Sequence, residues 1–221
     1  AKQNNIKKFI YSASSSCYGI PNKYPTNEKD KINPLYPYAL TKKIGEDFVL
    51  HWSKIYNIQA TSLRFFNIYG TRSRTSGSYG AMFGVFLSQK INNKPFTVVG
   101  NGNQKRDFIF VSDAVSAIIK SLSLKQKNLV LNIGCGKPIT INHICKLLKG
   151  KKIYIPKRPG EPDVTWANIN LAKKKLKWHP KVDISEGVKI LLNNLNHWEN
   201  APLWDKKKIS KATKDWFRYL G

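Results

Sequence analysis

The sequence is short of acidic residues, arginine, cysteine and long apolar runs, and each shortage narrows what the protein can be. Against 38 lysines and arginines stand only 13 aspartates and glutamates, a net charge of +25. Such a balance asks for a polyanionic partner when the charge gathers on one face. Yet only six of the 38 are arginine (Arg64, Arg72, Arg74, Arg106, Arg158 and Arg218). The lysines are spread along the chain, without the interleaved aromatic and basic residues of a nucleic-acid groove. Lysine, asparagine and isoleucine share A/T-rich codons, so the charge reads as a solvated lysine surface, with nucleic-acid binding as the alternative class. Three cysteines (Cys17, Cys135, Cys145) and four histidines (His51, His143, His179, His197) are scattered without metal-ligand spacing. They read as structural, in a reduced, cytoplasmic setting and with no metal. No apolar run approaches the roughly 20 residues that cross a bilayer, and no signal peptide is visible. The chain starts at Ala1 and its single methionine is Met82, which reads as a fragment, a processed chain or a trimmed one. What is present, 41% hydrophobic and 12% aromatic over 221 residues, suits a globular fold.

Along the chain, strand and helix patterns alternate. Residues 6–13 (IKKFIYSA) read as a short buried strand that runs into the hydroxyl cluster SASSSCYG at 12–19. The Pro-, Asn- and charge-rich stretch 20–37 reads as a long loop. Pro37 then sits where a helix would begin, and 38–57 places Leu40, Ile44, Phe48 and Trp52 four apart on one stripe. QATSLRFF at 59–66 is a second strand, so the opening third is the strand–helix–strand unit of a parallel sheet. The loop 71–80 leads to an apolar helix near 82–90. Strands at 96–99, 107–111, 129–133 and 152–155 alternate with helices at 112–124 (capped by Ser112 or Asp113) and 140–148. Beyond 164 the chain is mostly helical, ending in an amphipathic helix over 206–220. The expected class is α/β. Two glycine pairs fail as phosphate cradles: after Gly134 and Gly136 the third position is Ile139 with Pro138 intruding, and Gly100-Asn-Gly102 reads as a turn.

The chemistry lies at the start of the long helix. Tyr38 and Lys42, four residues apart, share one helical face. A free phenol ionises near pH 10, too high for a base at neutral pH. A lysine ammonium beside it, helped by a cationic cofactor ring, would favour the phenolate. A serine at the end of the preceding strand could share the proton and hold the substrate oxygen.

With these motifs in order (SASSSCYG, YPYALTKK, RFFNIYG, GNGNQKRDFIFVSD, NIGCG and RPGEPDVTWANI), the chain resembles the extended short-chain dehydrogenase/reductases, in particular the nucleotide-sugar 4-epimerases. The resemblance covers about residues 5–195. It implies the C-terminal part of a Rossmann-like parallel sheet and a smaller mixed α/β substrate-binding subdomain. Residues 1–75 would be what remains of the NAD-binding domain with the catalytic serine, tyrosine and lysine. Residues 76–195 would mainly bind the nucleotide sugar, interleaved with sheet elements, and 196–221 would be a helical extension.

By position, the resemblance makes Ser14 the catalytic hydroxyl, Tyr38 the base, and Lys42 the residue that lowers the tyrosine's pKa and binds the nicotinamide ribose. Asn67 would contact the sugar diphosphate, and Arg106 and Arg158 would clamp it, a task that suits guanidinium geometry. The family's dehydratases carry Asp-Glu directly after the catalytic hydroxyl; Ser15 and Ser16 stand there instead. Decarboxylating relatives use a glutamate that is also missing. The implied reaction is NAD-dependent epimerisation at C4 through a 4-keto sugar. Thr165 aligns with the position that gates the C2 substituent, and its small side chain leans towards a UDP-N-acetylhexosamine, with UDP-hexose, UDP-uronate and epimerisation at a different carbon as alternatives. The resemblance also implies a homodimer through the Tyr38 helix and a role in supplying polysaccharide precursors.

The resemblance fails at the start. About a hundred residues that hold NAD in the family have no counterpart before the serine strand, so the chain alone is expected to bind NAD poorly, to be inactive, and to expose a sheet edge and apolar helix faces. Thr71 also stands where a proline is usual, and 198–221 extends beyond the common core, with Trp204, Trp216 and Phe217 expected to pack it down.

Overall fold

The hydroxyl-tipped run near the start forms a strand of a parallel sheet in the computed structural model, which describes residues 1–73 and 82–220. Most of the loop read at 71–80 therefore lies outside the described residues. In chain order the elements are β1 (Lys8–Ser14), α1 (Pro37–Tyr56), β2 (Gln59–Phe65), β3 (Asn67–Tyr69), α2 (Met82–Ile91), β4 (Phe96–Val99), β5 (Lys105–Phe110), α3 (Val111–Ser121), β6 (Leu129–Ile133), β7 (Pro138–Thr140), α4 (Ile141–Leu148), β8 (Lys152–Ile155), α5 (Asn170–Leu176), α6 (Ile184–Asn193), α7 (Lys206–Ala212) and α8 (Lys214–Leu220). The α/β expectation with a parallel sheet holds. The chain divides into two units: residues 1–68, 107–138 and 165–181, and residues 69–106, 139–164 and 182–221.

In the first unit β1, β2 and β6 form a parallel sheet in the order β1-β2-β6. The register runs from Lys8 opposite Gln59 to Ser14 opposite Phe65, and from Thr61 opposite Leu129 to Phe65 opposite Ile133. Helix α1 crosses from β1 to β2. Because side chains alternate along a strand, β2 presents two different faces. Leu63 and Phe65 enter a core with Ile109, Leu129, Leu131, Ile133, Leu176 and Trp178. Each such side chain contributes about 1.5–3 kcal/mol on burial. Ser62 and Arg64 meet Glu46 of α1 instead. The buried positions of α1 are Ala39, Glu46 and Ser53, while Leu40, Ile44, Phe48 and Trp52 stay 43–61% exposed. The apolar stripe read from the sequence is thus an outer surface of the unit, and a polar one is inside.

Helix α3 starts at Val111, one residue before its reading, and its cap lies two or three residues earlier than read. Phe110 is the N-cap and makes no side-chain cap bond. Asp113 lies in the first turn, and its carboxylate accepts the Lys181 amide at 2.9 Å.

In the second unit β4 and β8 pair in parallel, Phe96 opposite Lys152 to Val99 opposite Ile155. Phe86 of α2 stacks on Phe96 at 4.8 Å and Tyr69 on Phe83 at 4.6 Å. Gln89 ties the C-terminal stretch to this core, donating to the Trp204 carbonyl at 2.8 Å and to Thr97 Oγ1 at 2.9 Å. The amphipathic stretch 206–220 is two helices, since Thr213 turns its hydroxyl back onto the Ile209 carbonyl. Trp198 is buried and Trp216 is half-buried, but Phe217 is 38% exposed and does not seal the extension as expected. Among the described residues no helix is long and apolar enough to cross a membrane.

Candidate active site

Ser14 ends β1 and caps the 3-10 turn Ser15–Tyr18. Its Oγ accepts the Ser16 amide at 3.2 Å and the Ser16 hydroxyl at 2.9 Å. A hydroxyl that accepts twice still has its own proton to donate. The serine cluster thereby aims one member of itself. Gly19 closes the turn at φ 63°, with the Asn33 carbonyl oxygen 2.1 Å from where a Cβ would stand; no larger residue fits.

Pro37 is the first residue of α1, its fixed φ suiting that place. Tyr38 and Lys42 therefore fall in the first two turns. The Lys42 ammonium donates to the Ser12 carbonyl of β1 at 2.9 Å. It lies 6.0 Å from the centre of the Tyr38 ring and 5.7 Å from that of Tyr11. Tyr11 in turn donates to the Lys42 carbonyl at 3.2 Å. Gly45 makes that approach possible, since a Cβ there would stand 2.1 Å from the Tyr11 hydroxyl. Burial first, then Glu46 and Tyr38, pushes the Tyr11 phenol up. Lys42 thus links the first turns of α1, which carry Tyr38, to Ser12, two residues before Ser14 on β1.

Asn67 and Thr165, 98 positions apart, are joined: the Thr165 hydroxyl donates to Asn67 Oδ1 at 3.0 Å and accepts the Asp107 amide at 3.1 Å. Asp107 was not singled out from the sequence, although it stands in the RDFIF motif. It is fully buried, and its carboxylate accepts the amides of Cys135 (2.6 Å), Gly136 (3.0 Å) and Ala167 (2.9 Å). The Gly134–Gly136 turn therefore spends its N–H groups on Asp107 and makes no phosphate cradle. Among the described residues, Tyr38 and Lys42 are the groups that could hold the ribose end of NAD.

Burial pushes the Asp107 carboxyl up to about 6 against the pull of those amides. A folded value above the unfolded one means stability that is full below pH 4 and lost as pH rises through 6. The loss is on the order of 3 kcal/mol. Asp107→Asn cannot titrate. The wild-type stability minus that of the variant, from urea melts, should fall between pH 4 and 6.5 and be flat above 7. A rise over that window would contradict the assignment.

The two arginines lie in the second unit. Arg106 Nη1 donates to the carbonyls of Lys105 (3.0 Å) and Asp163 (3.4 Å). Arg158 Nη1 pairs with Glu161 Oε1 at 3.2 Å, and its guanidinium lies 6.0 Å from the centre of the Trp216 ring. Lys157 pairs with Asp163 at 2.5 Å. Both arginines are thus tied to the stretch 158–163.

The model of the NAD-dependent epimerase/dehydratase family matches residues 1–134. The UDP-glucuronate 4-epimerase of Thermodesulfobacterium geofontis (strain OPF15) is 34% identical over 216 residues, 94% of this chain and 62% of that protein. Among solved structures, the UDP-N-acetylglucosamine 4-epimerase from Methanobrevibacter ruminantium M1, in complex with UDP-N-acetylmuramic acid, matches with a TM-score of 0.79 at 30% identity, over 87% of this chain and 65% of that one. The UDP-glucuronic acid 4-epimerase from Bacillus cereus, in complex with UDP-glucuronic acid and NAD, gives 0.80 at 30% identity over 88% and 63%. The chain spans 60–64% of the length of the first curated relatives it matches.

Proposed function

This chain belongs to the NAD-dependent epimerase/dehydratase family, and from that premise we propose that the whole protein inverts C4 of a UDP-linked hexose, most favourably a UDP-N-acetylhexosamine. The observation that carries the reading is the placement of Lys42, bonded to Ser12 two residues before Ser14 on β1 and 6.0 Å from the centre of the Tyr38 ring. NAD, when bound, supplies the acceptor and donor of the C4 hydride. Tyr38 takes the proton of the C4 hydroxyl as the ketone forms and returns it as the ketone is reduced. Lys42 holds the ribose and stabilises the phenolate by its charge. Ser14 donates its remaining proton to the C4 oxygen. Inversion follows when the 4-keto sugar turns its other face before the hydride returns. With Ser15 and Ser16 beside Ser14, the chain has no carboxylate pair there to remove water, which favours epimerisation over dehydration.

In this reading Asn67, Arg106 and Arg158 bind the diphosphate, and Thr165 leaves room for an N-acetyl group at C2. The restraint of the Thr165 hydroxyl between Asp107 and Asn67 supports a fixed, small gate. A UDP-uronate is the second reading, favoured by the likeness to the two UDP-glucuronate 4-epimerases. A panel of UDP-glucose, UDP-N-acetylglucosamine and UDP-glucuronate, incubated with NAD and the whole protein and separated by chromatography, tests both. Thr165→Tyr should lower kcat/KM for the N-acetylated sugar at least about tenfold relative to UDP-glucose. Equal loss for both would remove the gate from the account. Arg106→Ala should weaken UDP binding by about tenfold or more, as loss of a charged phosphate contact does. A homodimer closing on the exposed stripe of α1, and a cytoplasmic supply of polysaccharide precursors, belong to the same proposal.

A further inference from the structure

The C-terminal extension has no role in the reaction as described, yet it reaches one of the residues assigned to it. Arg158 stands in an irregular stretch between Pro156 and Val164, beyond the end of β8, with Pro159 and Gly160 (φ 73°) after it. An arginine on such a loop has rotamer freedom to lose before it can hold a phosphate. Glu161 and Trp216 both restrain it. Glu161 pairs with Nη1 at 3.2 Å. From α8, the Trp216 indole lies under the guanidinium at 6.0 Å, and its Nε1–H donates to the Pro159 carbonyl at 2.9 Å. One side chain thus holds both the head group of Arg158 and the backbone of the next residue. A contact of the guanidinium with the indole ring takes up none of the N–H groups that bind phosphate.

We propose that Trp216 is a positioning residue for Arg158 and, through it, for the diphosphate of the substrate, which makes the segment 196–221 a working part of the nucleotide-sugar site. The inference rests on the reading of Arg158 as a diphosphate ligand. It goes beyond that reading in assigning a job to α8. Trp216→Phe keeps an aromatic face and loses the bond to Pro159; Trp216→Leu loses both.

The test is a double-mutant cycle on the whole protein, with UDP as the calorimetric probe. Trp216→Leu should weaken UDP about three- to tenfold, the size that one cation–π contact and one hydrogen bond allow. Trp216→Phe should fall between it and the wild type. In an Arg158→Ala background, where UDP is already weakened, Trp216→Leu should add nothing. An equal loss in both backgrounds would mean that α8 merely holds the unit together, and the inference would be overturned. If Arg158→Ala weakens UDP and Trp216→Leu does not, the inference falls alone. If Arg158→Ala has no effect, the ligand role of Arg158 fails and takes the inference with it.

Discussion

Tyr38→Phe is expected to lower kcat for C4 epimerisation by about 10²–10⁴-fold, the usual worth of a positioned general acid–base group, while UDP binding changes less than about twofold. The variant removes one oxygen and keeps the ring that Lys42 faces, so it leaves the first turns of α1 as they are. Lys42→Met should lose activity too, and with it affinity for NAD, because the same ammonium is assigned to the ribose. Ser14→Ala should lower kcat by a smaller factor, since the tyrosine remains to move the proton. The check is turnover of the sugar nucleotide by chromatography at saturating NAD, with UDP titrations alongside. Wild-type turnover in Tyr38→Phe would remove the tyrosine from the reaction. A parallel loss of UDP binding would point to damaged structure.

The second large effect concerns stability. Glu46 and Arg64 form a buried two-point pair, Nη2 to Oε1 at 2.7 Å and Nε to Oε2 at 3.0 Å, with Ser62 adding a bond of 2.7 Å to Oε2. Arg64 also donates to the Tyr18 hydroxyl at 2.8 Å and the Glu28 carbonyl at 3.0 Å, and Tyr18 donates to Asn132 at 2.7 Å. This network joins α1 one turn past Lys42 to β2, to the turn after Ser14 and to β6. Burial alone would push the Glu46 carboxyl up; the bonds and charge of Arg64 outweigh it and hold the carboxyl below its ordinary value. Its stability contribution is therefore present above the usual carboxylate pKa and lost as pH falls through the lowered one. Arg64→Met or Glu46→Gln should each cost about 3–5 kcal/mol by leaving the partner buried and uncompensated. The double variant Glu46→Leu/Arg64→Met should recover much of that loss. Urea melts at pH 7 measure it; singles within about 1 kcal/mol of wild type would contradict the account.

Local features were legible in the sequence because they depend on neighbours. The alternation of patterns gave β4, β6 and β8 their bounds, and Pro37 marked the start of α1. The motif order carried the family. What escaped are pairings between distant segments. The spacing of Leu40, Ile44, Phe48 and Trp52 identifies a helix but does not say which face is inside, and the inner face turned out to carry Glu46. That became visible only when β2 placed Arg64 opposite. Asp107 stands in a quoted motif, but its acceptors' partners at 135–136 and 167 come from other segments. The Thr165–Asn67 bond spans 98 positions, and Trp216 meets Pro159 across 57; no local pattern encodes either. The cap of α3 was misplaced because Ser112 and Asp113 both look like cap residues, while Asp113 serves Lys181 instead.

In the proposed reaction C4 is oxidised and reduced within one turnover, the same hydrogen leaving and returning. The direct measurement is to run the whole protein with NAD and UDP-N-acetylglucosamine in D2O and read the product by NMR. The expected product is UDP-N-acetylgalactosamine with no deuterium on any sugar carbon, because in the proposed reaction the C4 hydrogen never enters solvent. An epimer carrying solvent deuterium on carbon would mean inversion by proton removal at a different centre, and would contradict it.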